Sequence, residues 1–237
     1  MGNVGFMATL EATMQRSHRL WTSAALLLVS GCGVPSSATP WNVVNGSGTI
    51  ITEQRDVTGF TGVCLRGSGA LVIEQTGEES LAIVADDNLM PLLTSDVRDG
   101  KLILSVNDNT SIRPTEQITY RLTVKDLSEI EISGSGTADA KGIQTDRLAS
   151  VISGSGKIII AGKANEQVIV ISGSGDFLGE GLKCKKAAIT VSGSGKAVLA
   201  VSDTLDATIS GSGSTKYVGE PKVNTKVSGS GSVQKKQ

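Results

Sequence analysis

The side chains of this sequence that could catalyse reactions or hold metal ions are mainly carboxylates, with one histidine and three cysteines. The only histidine, His18, lies in a segment that is expected to be removed on export. The mature chain would then have no imidazole for a catalytic triad, a proton relay or a zinc site. The acidic pairs Glu78-Glu79 and Asp86-Asp87 lie beside turn residues and are expected to be solvated. The sequence therefore predicts no catalytic site, no metal site and no cofactor.

Glu129 and Glu131 are two positions apart, so they would share the outer face of one strand. A polysaccharide lyase or hydrolase needs such carboxylates clustered in a groove with basic partners. The equivalent outer positions of the next repeat are Ala149 and Val151, so no acidic column forms. This pattern disfavours a carbohydrate-active enzyme.

The net charge, the segments after the triplets and the aromatic content disfavour binding of nucleic acid, phosphate and sugars. The net charge of −1 gives no basic surface for nucleic acid. Each Gly-Ser-Gly triplet is followed by a strand-like segment rather than a helix, which disfavours phosphate-binding loops. Aromatic residues that could stack on sugar rings are few beyond Cys32: Trp41, Phe60, Tyr120, Phe177 and Tyr217.

Residues 1–32 have the pattern of a bacterial export signal. Arg16 and Arg19 precede an apolar segment over residues 20–29, which is followed by small residues. The apolar segment is about half the roughly 20 residues that a membrane-spanning helix requires. Met14 is better placed than Met1 as the start of this signal.

Val29-Ser30-Gly31-Cys32 resembles the lipobox of bacterial lipoproteins. The resemblance implies that Cys32 becomes the mature N terminus and carries a diacylglyceryl group, which anchors the protein to a membrane. The alternative is a plain signal peptide with an incidental cysteine. Residues 33–45 are polar and contain two prolines, which predicts a short tether. We therefore expect a lipid-anchored protein of the bacterial cell envelope, in the outer membrane where one exists.

A short repeat dominates the rest of the chain. The central serines of eight Gly-Ser-Gly triplets are Ser47, Ser68, Ser135, Ser155, Ser174, Ser194, Ser212 and Ser230. From Ser133 onward the unit is Ser-Gly-Ser-Gly and recurs every 18–20 residues. A flexible linker is the alternative, but β-branched flanks such as residues 168–171 disfavour it. A repeat of this length and regularity is typical of a solenoid.

The repeat length selects the type of solenoid. Eighteen to twenty residues at about 3.3 Å per residue give a perimeter of roughly 60–65 Å. That perimeter fits three short strands joined by corners, with glycine at the tight turns. The sequence therefore predicts an all-β, right-handed parallel β-helix, with serines stacked into a ladder. Its regular coils would cover residues 133–232 of a domain spanning 46–237.

Residues 46–132 are strand-like but mostly lack the triplet. Turn signals such as Asp99-Gly100 separate short apolar segments, and a helical turn is expected within residues 88–94. We expect irregular coils of the same body here, with a separate small β domain as the alternative.

The sequence also resembles a known family. Residues 46–232 contain Gly46-Ser47-Gly48, Arg55-Asp56-Val57-Thr58-Gly59-Phe60 and Tyr120-Arg121-Leu122-Thr123-Val124, followed by the Ser-Gly-Ser-Gly series. These segments, in this order, resemble those of the auto-transporter adhesin head GIN domain, a bacterial domain of unknown function. The resemblance implies a β-helical fold and an exported, often lipid-anchored protein. It implies no catalytic residues.

Alternation predicts which residues face the core. Relative to the first serine of each unit, positions −1, −3, +5 and +7 are expected to face inward. Several outward positions are nevertheless apolar, and they form a candidate interaction stripe: Ile159, Leu178, Val198, Val151, Val168 and Val170. We expect self-association or an envelope partner there. The alternative is that a bulge at the glycines reverses the alternation and buries these residues.

Cys64 and Cys184 fall in different phases of the repeat, so two buried, unpaired thiols are expected rather than a disulfide. The sequence as a whole favours a non-enzymatic, adhesin-like envelope lipoprotein with a solenoid scaffold. The alternatives are a carbohydrate-active enzyme on the same fold, or an accessory protein of envelope stress or signalling.

Overall fold

The structure, a computed structural model, describes residues 42–236. Cys32 and most of the predicted tether lie outside the described residues. The described residues form one compact unit. Among the residues that the structure describes, no helix is long and apolar enough to cross a membrane.

The described residues form seventeen strands and one 3-10 turn. In chain order they are β1 (Asn42–Asn45), β2 (Ile50–Arg55), β3 (Gly62–Gly67), β4 (Ala70–Gln75), β5 (Ser80–Asp86), the 3-10 turn (Met90–Leu92), β6 (Leu93–Arg98), β7 (Lys101–Val106), β8 (Thr110–Arg113), β9 (Thr119–Val124), β10 (Glu129–Gly134), β11 (Thr137–Gly154), β12 (Lys157–Gly173), β13 (Asp176–Gly193), β14 (Lys196–Gly211), β15 (Ser214–Val218), β16 (Lys222–Ser228) and β17 (Ser232–Lys235).

Successive coils stack in parallel and in register, which confirms the predicted parallel β-helix. Each of the long strands β11 to β14 runs from one Ser-Gly-Ser-Gly corner to the next. The first serines of the corners are aligned from coil to coil: Ser133, Ser153, Ser172, Ser192, Ser210 and Ser228. The predicted serine ladder is therefore present along the regular coils.

Glycine is required at these corners by both conformation and space. Gly173 has φ +119°, a backbone conformation that side chains other than glycine rarely adopt. A Cβ atom at Gly173 would lie 2.5 Å from the carbonyl oxygen of Gly154 in the coil before it. That oxygen accepts a hydrogen bond from the backbone N–H of Ser174 at 2.9 Å. The corner therefore holds two coils together at a distance that leaves no room for a side chain.

The predicted alternation survives the glycines. Position −1 is fully buried in five successive coils, and positions −3 and +5 are buried in the same region. In the last coil, however, Val227 is 42% exposed although it was predicted to face the core. No further coil of the described chain stacks on β16 to cover it.

Volume within the core is balanced between neighbouring inward positions. Phe177 and Gly179 occupy positions that Ile158 and Ile160 fill in the preceding coil. The ring of Phe177 takes the space that a side chain at position 179 would need. One large and one small residue thus replace two of intermediate size, which keeps the core closely packed.

Residues 46–132 combine rungs of the solenoid with antiparallel pairs. Strands β3 and β4 stack in parallel on β10 and β11, and β7 and β9 stack in parallel beneath them. Pairs β2–β5, β5–β9 and β6–β7 are antiparallel, which the irregular-coil prediction did not include. The turn at Asp99-Gly100 and a helical turn at Met90–Leu92 were both predicted, and both are confirmed.

The first two Gly-Ser-Gly triplets make different contacts. Gly67-Ser68-Gly69 stacks on the regular corners, because the Ser135 N–H donates to the Gly67 carbonyl at 2.9 Å, although Arg66 stands where the later corners have their first serine. Gly46-Ser47-Gly48 does not stack on these corners. The side chains of Asp86, Asp87 and Asn88 accept its hydrogen bonds instead. The last four residues of the predicted tether also form a strand, β1, which pairs in parallel with β8.

Candidate binding surfaces

Several carboxylates of the described chain are held in structural contacts, among them Asp86, Glu129 and Glu131. Asp86 was expected in a solvated turn, but it is fully buried. Its side chain accepts hydrogen bonds from Thr115 Oγ1 (2.6 Å), Thr115 N (3.0 Å) and Gly48 N (2.8 Å). The hydrogen bond from the Thr115 side chain is the largest cause that lowers the pKa of Asp86. The ionised side chain of Asp86 therefore links the loop that contains Gly48 to the loop that contains Thr115.

Glu129 and Glu131 share an outer face, as predicted. Lys101 Nζ reaches Glu129 Oε1 at 2.7 Å and Glu131 Oε2 at 3.0 Å, across Gly62, which has no side chain to block it. The hydrogen bond to Glu129 is the main cause that raises the pKa of Lys101. The ion pairs of Lys101 therefore link β7 to β10 across β3, which is a structural role. Within residues 42–236, no group of three or more histidine, cysteine or acidic residues could hold a metal ion.

Cys64 and Cys184 are free and buried, as predicted. Burial raises the pKa of both thiols, so at neutral pH both are protonated and poorly nucleophilic. Cys184 Sγ also donates a hydrogen bond to the Lys186 carbonyl at 2.8 Å. Neither thiol has the properties of a reactive cysteine.

The residues of the predicted interaction stripe all point outward. Ile159, Leu178 and Val198 are aligned on three consecutive coils, where Ile159 is 36% and Leu178 is 38% exposed. The flanking inward residues Ile158 and Ile160 are buried. The alternative that these stripe residues belong to the core therefore does not hold.

The six residues nevertheless lie on two walls rather than one. Val151, Val168 and Val170 are half-buried on the wall before the Ser-Gly-Ser-Gly corner. Ile159, Leu178 and Val198 lie on the wall after it. We call the latter three residues the apolar column. The serine corner separates the two walls.

A groove that the sequence analysis missed crosses the later coils away from the serine corner. It has a volume of about 1140 Å³, and five successive coils line it through residues 144–146, 163–165, 183–185, 200–202 and 218–220. The register shifts here, because Ala200 pairs with Lys183 and residues 180–182 have no partner in β14. The coil that loses these residues is shorter, which leaves a concave surface.

The groove combines an apolar floor with basic side chains. Ala164, Cys184 and Val201 are aligned on three coils and form the floor. Lys163 and Lys183 are aligned beside this floor on adjacent coils. The sequence signals were the shortening of the repeat in its later units and the lysine-rich segment 183–186.

Comparison with known proteins is consistent with this architecture. A family model described as "Putative auto-transporter adhesin, head GIN domain" matches residues 59–221. No curated protein matches the chain. A solved structure described as a putative adhesin from Bacteroides fragilis superposes with a TM-score of 0.67 at 22% identity, covering 81% of this chain and 99% of the other. A structure described as a putative lipid binding protein from Parabacteroides distasonis superposes with a TM-score of 0.57 at 23% identity, covering 83% of this chain and 100% of the other.

Proposed function

The chain belongs to the head GIN domain family, and from this premise we propose that it is a non-enzymatic, adhesin-like scaffold of the bacterial cell envelope. The observation that carries the proposal is the exterior of the solenoid. It offers long walls of aligned residues for binding, and the carboxylates of Asp86, Glu129 and Glu131 are held in structural contacts. Because aligned side chains repeat from coil to coil, such walls suit the recognition of extended partners.

We propose that Cys32 anchors this scaffold to a membrane through lipid. The support is the lipobox-like segment Val29-Ser30-Gly31-Cys32 together with the basic and apolar segments before it. Two or more acyl chains hold a protein stably on a membrane, whereas one chain binds only marginally. The short segment between Cys32 and β1 would keep the solenoid close to the membrane surface, in an outer membrane where one exists.

The apolar column is proposed to be a contact surface for a second copy of the chain. Ile159 and Leu178 are among the more exposed large apolar residues of residues 42–236. Aligned exposed apolar side chains are typical of surfaces that become covered. The parent protein lacking the leader is therefore expected to form dimers or larger assemblies in solution.

The double variant Leu178→Glu/Val198→Glu is expected to be monomeric, since it places two carboxylates in register on the contact surface. Light scattering on the chain from residue 33 onward would measure this. The matched control is Thr190→Glu/Thr208→Glu, which adds two aligned carboxylates at exposed positions of the other wall. The control should assemble like the parent. A monomeric parent, or equal dissociation of both variants, would exclude self-association through the apolar column.

A further inference from the structure

We propose that the groove over the later coils binds an anionic amphiphile, meaning a single acyl chain with a negatively charged head group. The head group would lie at Lys163, Lys183 and Lys185, and the chain would lie along the floor of Ala164, Cys184 and Val201. This site is separate from the apolar column and from the lipid proposed on Cys32.

The arrangement of charge argues for an anionic ligand. Lys163 and Lys183 are direct neighbours in the parallel ladder, and like charges at such positions repel each other. Within the described residues, no carboxylate lies within 4.0 Å of either ammonium group. On the wall that carries the apolar column, by contrast, Asp176 separates Lys157 from Lys196. A bound anion would relieve the repulsion that the groove leaves uncompensated.

Three acidic residues line the groove, and they lie near its two ends: Asp126 and Asp146 at one end and Glu220 at the other. Asp146 Oδ1 accepts a hydrogen bond from Asn165 Nδ2 at 2.7 Å. Glu220 forms an ion pair with Lys235. The positive charge of Lys163 and Lys183 is therefore the charge that remains available to a ligand in the middle of the groove.

The residues of the floor indicate that the ligand also has an apolar part. Its three aligned residues bear no charge, and the exposed surface of the groove is predominantly apolar. Ala200 and Val218 extend this surface along one wall. Five coils at about 4.8 Å spacing give a length of roughly 19 Å, which accommodates an extended acyl chain. A small anion alone would leave the half-buried side chains of Ala200 and Val218 in contact with water.

The lining disfavours a carbohydrate. No aromatic side chain is among the groove residues within 42–236, so sugar rings would find no stacking platform. An acyl chain needs only the apolar floor and the concave shape.

Laurate is a suitable probe, because it is soluble as a monomer below its micelle concentration. Isothermal titration of the chain from residue 33 onward is expected to show one saturable site. The variant Lys163→Gln/Lys183→Gln should weaken laurate binding by about fivefold to tenfold, since two ion pairs are lost. The control Lys157→Gln/Lys196→Gln removes the same charge from the wall that carries the apolar column and should change binding less than twofold. Dodecanol should bind the parent and Lys163→Gln/Lys183→Gln equally, and acetate should not bind.

A second measurement places the ligand in the groove. Ser202 lines the groove, whereas Thr190 lies on another wall, and both residues are exposed. In the single variants Ser202→Cys and Thr190→Cys, saturating laurate should slow alkylation of the introduced thiol by iodoacetamide severalfold at position 202 and leave it unchanged at position 190, as measured by mass spectrometry. The proposal is overturned if laurate does not bind, if both lysine variants bind it equally, or if both introduced thiols are protected to the same extent.

Discussion

Replacing Gly173 with alanine is expected to lower the free energy of unfolding by about 4 kcal/mol. A residue other than glycine in this sparsely populated conformation costs about 1–3 kcal/mol. Forcing a methyl group into a filled space costs about 1–3 kcal/mol more. The added Cβ would press on the Gly154 carbonyl at 2.5 Å, so two coils would have to separate. The melting temperature should fall by roughly 10 °C, at about 2–4 °C per kcal/mol for a protein of this size.

The matched control is Ser174→Ala, at the next position along the same corner. Ser174 is exposed, so its substitution should change stability by less than about 0.5 kcal/mol. Thermal unfolding followed by circular dichroism would compare the two variants. Equal stability of Gly173→Ala and Ser174→Ala would contradict the stacked corner.

Replacing Cys32 with serine is expected to abolish membrane attachment. The lipid is proposed to be joined through a thioether, which a hydroxyl group cannot form. Since the acyl chains supply the proposed anchor, nearly all of the protein should move from the detergent phase to the aqueous phase. Phase partitioning and incorporation of labelled palmitate would measure this in cells.

Cys64→Ser and Cys184→Ser are the matched controls, because both thiols are buried within the solenoid. Both variants should remain acylated and partition with detergent. Retention of Cys32→Ser in the detergent phase would show that another feature of the chain attaches it to the membrane.

The regular half of the fold was predictable because each coil repeats one local rule. Positions such as Ile132, Ile152 and Ile171 keep a fixed distance from a glycine corner. Alternation along the strand then determines which side chains are buried. The corner preserves this alternation, so the inward residues and the aligned serines could be identified from the sequence.

The irregular half was less predictable because its pairing depends on contacts between distant residues. Gly46-Ser47-Gly48 has the same sequence as the later triplets, and only Asn45, which stands where the later Ser-Gly-Ser-Gly units have a serine, distinguishes it locally. Its position is determined by Asp86 and Asp87, which lie far away along the chain. Antiparallel pairs such as β2–β5 likewise depend on which strands meet in three dimensions, which strand-like composition alone does not specify.

The groove was missed for a related reason. The shorter and the longer coils have similar sequence patterns, and only their stacking shows where the missing residues leave a gap. Alignment of Lys183 with Ala200 places that gap away from the serine corner. The two aligned lysines, Lys163 and Lys183, belong to successive repeats of the sequence and meet only after the coils have stacked.

Disulfide formation between engineered corner cysteines tests the stacking of coils most directly. Ser153 and Ser172 are exposed and directly aligned, and neighbouring strands lie about 4.8 Å apart, within the span that a disulfide bridges. The variant Ser153→Cys/Ser172→Cys is therefore expected to close fully under mild oxidation, as measured by mass spectrometry of the monomer. Ser153→Cys/Ser192→Cys, which spans two coils, should remain reduced. Equal closure of both pairs, or failure of the first pair to close, would contradict the in-register solenoid.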